Sequence, residues 1–146
     1  ETINYINVKS QIPTFAVEDT AGNTFSSKQF IGKQSLLVFF GTYCPDCKQV
    51  LPVIEEVWKE LKDDPRFLLV TISRKETAEV VSNYWKENQF TMPFYLDTRG
   101  EVFSLFANNT IPRIYIINPD NEVVWMAVES LDISAKELIQ KIKGLK

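Results

Sequence analysis

Leu36-Leu37-Val38-Phe39-Phe40-Gly41-Thr42-Tyr43-Cys44-Pro45-Asp46-Cys47-Lys48 is the stretch from which the rest of the chain is read. The unbroken apolar run Leu36 to Phe40 predicts a strand buried on both faces. Past Cys47, the residues Val50, Leu51, Ile54, Val57, Trp58 and Leu61 recur at helical spacing. A helix therefore follows and runs to about Lys62, where Asp63-Asp64-Pro65 stops it. Pro52 lies inside that helix and is expected to kink it, because its ring crowds the preceding turn. Strand and helix together deliver Cys44 to a helix N-terminus. Unpaired N–H groups and partial positive charge at that end favour a thiolate over a thiol. Cys-x-x-Cys at such a junction points to thiol–disulfide exchange.

Composition narrows the alternatives. The 146 residues, 45% of them hydrophobic, suit a single globular domain over 1–146. With 16 basic and 19 acidic residues and a net charge of −3, the chain presents no electrostatic case for binding nucleic acid or an anionic membrane. Histidine is absent, so no Cys–His nucleophile, His-assisted triad or Cys₂His₂ zinc site can be built. Cys44 and Cys47 are the only cysteines and supply at most half of a Cys₄ site. No metal and no separate cofactor are expected; the redox group is the Cys44–Cys47 pair itself. A structural disulfide and a partial metal site are the bland alternatives. Closing so short a loop would constrain the unfolded chain little, and a core of this size needs no staple. The chain opens at Glu1 without an initiator Met or an apolar leader, as expected of a mature or trimmed chain excised from a longer tethered or multidomain protein.

Along the rest of the chain, Ile12 to Glu18 alternates like a strand, Asp19-Thr20-Ala21-Gly22-Asn23 is turn chemistry, and Thr24-Phe25 returns. Ser26 to Ile31 suits a short helical turn. Phe67 to Ile72 predicts a second buried strand, Thr77 to Asn88 a helix, Phe94 to Asp97 a short strand, and Glu101 to Ala107 a small helix. Ile114 to Ile117 and Val123 to Met126 flank Asn118-Pro119-Asp120-Asn121 as an antiparallel hairpin. Ser134-Ala135-Lys136-Glu137 reads as a capping box before a final amphipathic helix. The aromatics Trp58, Trp85, Trp125, Phe15, Phe25, Phe30, Phe67 and Phe94 are read as core filling rather than as a cofactor site. The fold class is α/β: a mixed central sheet flanked by helices.

The apolar strand, the Cys44-Pro45-Asp46-Cys47-Lys48 motif, Pro52 in the following helix and Ile111-Pro112 before the closing hairpin together resemble the thioredoxin superfamily. Within it the chain is most similar to the TlpA/ResA-like proteins of bacteria. Ile12-Pro13-Thr14-Phe15 with the turn after it looks like their N-terminal β-hairpin, Gly32-Lys33 precedes the first core strand as theirs does, and the added helix–strand unit between Ile72 and Ile111 carries Phe94-Tyr95-Leu96-Asp97. The likeness covers nearly the whole chain. It implies a thiol–disulfide oxidoreductase that reduces disulfide-containing protein substrates and is recharged by an upstream thiol reductant. It also implies an extracytoplasmic setting, periplasmic or membrane-tethered, with any tether outside this segment.

Cys44 is the candidate nucleophile, and Cys47, about one turn on, resolves the mixed disulfide. Pro45 fits a first helical turn, where its missing N–H costs nothing. Asp46 favours the helix through its dipole, but its charge disfavours a thiolate beside it, so a reductant-like dithiol is expected. By resemblance, Pro112 is cis, the backbone of Ile111 pairs with extended substrate, and Tyr43 stands where an apolar substrate surface carries tryptophan. Arg113 is expected either near the sulfurs, offsetting Asp46, or on the solvated surface. Two departures stand out: Phe39 replaces the buried aspartate of thioredoxin, and Val50 the glutamate of many TlpA/ResA-like proteins. Cys47 is thus left without a base identifiable from sequence. The rival readings are a binding module with little turnover and a thiol peroxidase. The latter would need Thr or Ser at Gly41. A copper chaperone would need a Cys-x-x-x-Cys spacing and a histidine.

Overall fold

A computed structural model describes residues 1–145. The central strand β3 (Gln34–Phe40) is buried along its whole length. Its neighbours explain why. It pairs in parallel with β4 (Phe67–Arg74) on one side and antiparallel with β6 (Arg113–Ile117) on the other. Helices α1 (Pro45–Leu61), α2 (Ala78–Asn88) and α4 (Ala135–Lys143) supply much of one core; a short helix α3 (Phe103–Phe106) belongs to the other. With β1 (Ala16–Glu18), β2 (Thr24–Ser26), β5 (Tyr95–Asp97) and β7 (Val123–Val128), the sheet runs β2-β1-β5-β4-β3-β6-β7. Parallel β3–β4–β5 and the antiparallel margins make it mixed. The N-terminal hairpin β1–β2 docks on the inserted strand β5 through Glu18 and Leu96.

Strand alternation divides the core into two layers. Leu36, Val38, Phe40, Ile114 and Ile116 face one cluster with Leu51, Ile54, Val57, Trp85, Leu138 and Ile142. Leu37, Phe39, Tyr115 and Ile117 face the other, packed with Phe15, Phe25, Phe30, Phe103 and Phe106. Phe39 meets Phe106 edge-on at 4.9 Å between ring centroids. The sequence-named aromatics belong to this packing, with Trp58, Trp125 and Phe94 partly buried against it.

Local chemistry moves several boundaries. The N-terminal strand shrinks to Ala16–Glu18 because Ile12 N–H bonds the Asn121 carbonyl and Phe15 N–H the Ser27 hydroxyl. The helix expected from Glu101 begins at Phe103, where Asp97 accepts the Val102 and Phe103 amides. The capping-box signature at Ser134 is realised on one side, with Ser134 Oγ accepting from Glu137 N at 3.1 Å. Helix α1 continues through Pro52 without interruption.

Candidate active site

Three segments meet at the C-terminal end of β3: the Gly41–Tyr43 loop, the first turn of α1, and the turn before β6. Cys44 is the N-cap of α1, with extended backbone (φ −93°, ψ 116°), and its sulfur accepts the Cys47 amide at 3.2 Å. That is the position usually held by Ser, Thr or Asp, so the sulfur meets an unpaired helix N–H. Pro45 occupies the first helical position and is exposed; Asp46 is half-buried beside it. Both cysteines are free thiols. Cys44 retains 9% exposure and Cys47 none, so of the two residues Cys44 alone keeps any contact with the surface.

The Ile111–Pro112 peptide is cis. Pro112 is buried, and the Ile111 carbonyl lies 3.8 Å from Cys44 Sγ, which donates to it. Tyr43 is 58% exposed, with its ring over Gly41. A Cβ at Gly41 would lie 2.6 Å from Tyr43 Cε1 and 3.0 Å from Ile111 Cδ1. The Thr or Ser that a peroxidase pattern needs at Gly41 is incompatible with this placement of the ring. The geometry therefore brings together Tyr43, Cys44, Pro45, Asp46, Cys47, Ile111 and Pro112.

Arg113 is the correction. It is fully buried on the opposite face of the sheet from the dithiol, neither beside the sulfurs nor solvated. Alternation dictates this, since Ile114 faces the cysteine layer and its neighbour must face away. Its guanidinium donates to the Thr110, Asn109 and Asn4 oxygens, each at 2.8 Å. It clasps the N-terminal segment to the loop that carries Ile111.

Cys47 holds its proton firmly. Burial is the main cause, then its hydrogen bond with Cys44, and the charge of Asp46 adds to both, so its titration is pushed well above the ordinary thiol value. Among the described residues, no carboxylate hydrogen-bonds either sulfur. The fold does bring in one buried acid that sequence reasoning missed: Glu76 accepts from Thr42 N at 2.9 Å, from the Thr42 hydroxyl, and from Ser73 Oγ at 2.7 Å. Glu76 fixes the loop before Cys44 rather than the sulfurs. Its role depends on a contact across 34 positions of chain, which no local pattern signals.

The protonated Cys47 has a measurable consequence. Reduction takes up its proton at any pH below its raised titration point, so the reduction potential falls as pH rises. The slope is ~30 mV per unit for one proton and two electrons, and steeper where Cys44 also takes one. No flattening is expected between about pH 7 and about pH 10, beyond the ordinary thiol value of 9.0. A plateau within that interval in a redox titration would contradict this protonation state.

A thioredoxin fold that sets a free Cys-x-x-Cys pair beside a cis-proline defines the class as a dithiol oxidoreductase. The chain belongs to the Redoxin family, whose model matches residues 7–139. It is similar to the thiol–disulfide oxidoreductase ResA of Bacillus subtilis, 30% identical over 119 residues, covering 82% of this chain and 66% of that protein. Thus it spans just under two thirds of the length of that relative. The fold matches the solution structure of a Bacteroides thetaiotaomicron protein provisionally called a protein disulfide isomerase, at a TM-score of 0.89 and 26% identity, over 96% of this chain and 90% of that one. It also matches a thiol:disulfide interchange protein of the thioredoxin family from Chlorobium tepidum, at a TM-score of 0.78 and 25% identity, over 94% and 96% of the two chains. Over most of its length the chain is thus similar to thiol–disulfide oxidoreductases of the ResA type.

Proposed function

We propose that the protein reduces disulfides in other proteins through Cys44 and Cys47. The observation that carries this reading is the placement of Cys44, the cysteine that keeps some exposure, with its Sγ next to the Ile111 carbonyl and Cys47 wholly buried one turn behind. In the first step the Cys44 thiolate attacks one substrate sulfur; the substrate S–S bond breaks, and the departing thiolate takes a proton. In the second, Cys47 gives up its proton and attacks Cys44 Sγ, forming the Cys44–Cys47 disulfide and releasing the second substrate thiol. Two electrons pass from protein to substrate, and an upstream thiol reductant returns them. No further cofactor is required for this balance. Extended substrate lies along the Ile111 backbone and across Tyr43, whose exposed ring supplies apolar surface.

The resemblance to TlpA/ResA-like proteins supports an extracytoplasmic setting. Among the described residues no helix is long and apolar enough to cross a membrane. The activity is tested by insulin reduction with dithiothreitol as electron source: the protein is expected to accelerate precipitation over dithiothreitol alone, and no acceleration would overturn the reading.

Asp46 sets the direction. Its charge opposes thiolates in the reduced dithiol, which makes that form the readier electron donor. Asp46→Asn is expected to raise the reduction potential by ~10–20 mV, the equivalent of a modest, partly screened interaction at a helix N-terminus. An unchanged potential in a glutathione titration would show that the carboxylate acts only on the helix.

A further inference from the structure

Arg74 ends β4 on the aromatic face of the sheet. Its strand neighbours place it next to the site: the last β3–β4 pair is Phe40 with Ser73, so the next residues are Gly41 and Arg74. Gly41 is the residue covered by the Tyr43 ring. The positive charge of Arg74 acts on the Tyr43 hydroxyl, opposing the upward push of burial. The Arg74 guanidinium stacks on Phe103, its carbon 4.1 Å from the ring centroid.

Arg74 is stacked but not paired. Its Nε is buried without a hydrogen-bond partner, and among the described residues no carboxylate or other acceptor takes any of its guanidinium protons. The neighbouring acids are engaged elsewhere. Asp97, opposite Arg74 in the β4–β5 register, spends both oxygens on the Val102 and Phe103 amides. Glu76 spends its own on Thr42 and Ser73. The contrast with Arg113, which finds four acceptors on the same face, is sharp. A guanidinium held flat on an aromatic ring, on a partly exposed residue and with its buried Nε lacking an acceptor, is preorganised to take a carboxylate.

We infer that Arg74 is a specificity-determining residue that receives a substrate carboxylate on the far side of Tyr43 from Ile111. The inference rests on the disulfide-reductase reading of the same site. The sheet order puts β6, β3 and β4 side by side, so Ile111 and Arg74 flank the Gly41–Tyr43 ridge. Two strand spacings, ~10 Å, correspond to about three residues of extended chain. The carboxylate therefore belongs about three residues from the segment that pairs with Ile111. It comes either from an Asp or Glu side chain or from a chain terminus.

The test uses disulfide-bridged peptides differing only in Glu or Gln about three residues from the reactive cysteine. Each is made as free acid and as C-terminal amide, and kcat/KM is read at low and high salt. Hydroxyethyl disulfide, which carries no charge, is run alongside. The native protein is expected to favour a carboxylate-bearing peptide by about five- to tenfold at low salt, with the preference shrinking at high salt. The Glu–Gln comparison on amidated peptides isolates the side-chain source, and the acid–amide comparison on Gln peptides isolates the terminus. Arg74→Gln is expected to bring the preference to about unity whatever its absolute rates, and Arg74→Lys to restore only part of it. Equal rates for all peptides, or a preference that survives Arg74→Gln, would overturn the inference. Failure of the native protein to reduce even hydroxyethyl disulfide would instead overturn the disulfide-reductase reading.

Discussion

Cys44→Ser is expected to lower the insulin-reduction rate by ~10³-fold or more, to the background of dithiothreitol alone. A serine at the helix N-cap keeps the cap, since its hydroxyl accepts the Cys47 amide as the sulfur does at 3.2 Å. The fold is therefore expected to survive, and the loss falls on chemistry. A hydroxyl is not ionised near neutral pH and cannot displace a thiolate from sulfur. Cys47 does not substitute, because it is wholly buried and holds its proton. Cys47→Ser gives the complementary outcome: Cys44 still attacks, but the mixed disulfide is not resolved and accumulates as a covalent adduct visible by non-reducing electrophoresis or mass spectrometry. Native protein that reduces insulin no faster than Cys44→Ser, both at the dithiothreitol background, would mean that the groove only binds. Adduct formation on Cys47 rather than Cys44 would reverse the assigned order.

What sequence could reveal of this site followed from local physics. The run Leu36 to Phe40 and the helical spacing after Cys47 mark strand and helix because each signal is contained in a short window. The position of Cys44 as N-cap follows from that junction. The meeting of Ile111 with Cys44 was reachable only through resemblance, since it joins positions 67 apart. Glu76 and Arg74 were missed for the same reason. An acidic residue in a loop after a strand is ordinarily solvated, and only the folded chain shows that Thr42 and Ser73 point their donors at it. Arg113 failed differently. Position next to Pro112 suggested proximity to the sulfurs, whereas strand alternation sends its side chain through to the other layer. A residue adjacent in sequence to a site on a strand is, by the pleat, the one least able to reach it.

Glu76→Ala tests the support beneath the reactive loop, and here two effects oppose each other. Removing a buried acid relieves its desolvation, which favours the variant. It also leaves the Thr42 amide, the Thr42 hydroxyl and the Ser73 hydroxyl without their acceptor. Hydrogen bonds to a carboxylate contribute ~1.5–3 kcal/mol each, and an orphaned buried donor costs ~1–3 kcal/mol. With three donors sharing one acceptor group, the loss outweighs the relief. A net destabilisation of about 2–4 kcal/mol is expected, seen as a lower urea midpoint at unchanged slope. Glu76→Gln keeps one carbonyl oxygen for the Thr42 amide and the Ser73 hydroxyl, while the Thr42 hydroxyl turns to accept from the new amide. It is expected to recover most of the stability. Catalysis should follow the same order. The Gly41–Tyr43 loop sets both the ring of Tyr43 and the approach of chain to Cys44, whose amide bonds the Gly41 carbonyl at 3.2 Å. Loosening that loop is expected to cost the alanine variant about tenfold in kcat/KM for insulin while leaving the glutamine variant within about threefold. An alanine variant as stable and as active as the native protein would reduce Glu76 to a bystander. Loss of activity in Glu76→Gln at full stability would give the carboxylate a part in the chemistry rather than in the support.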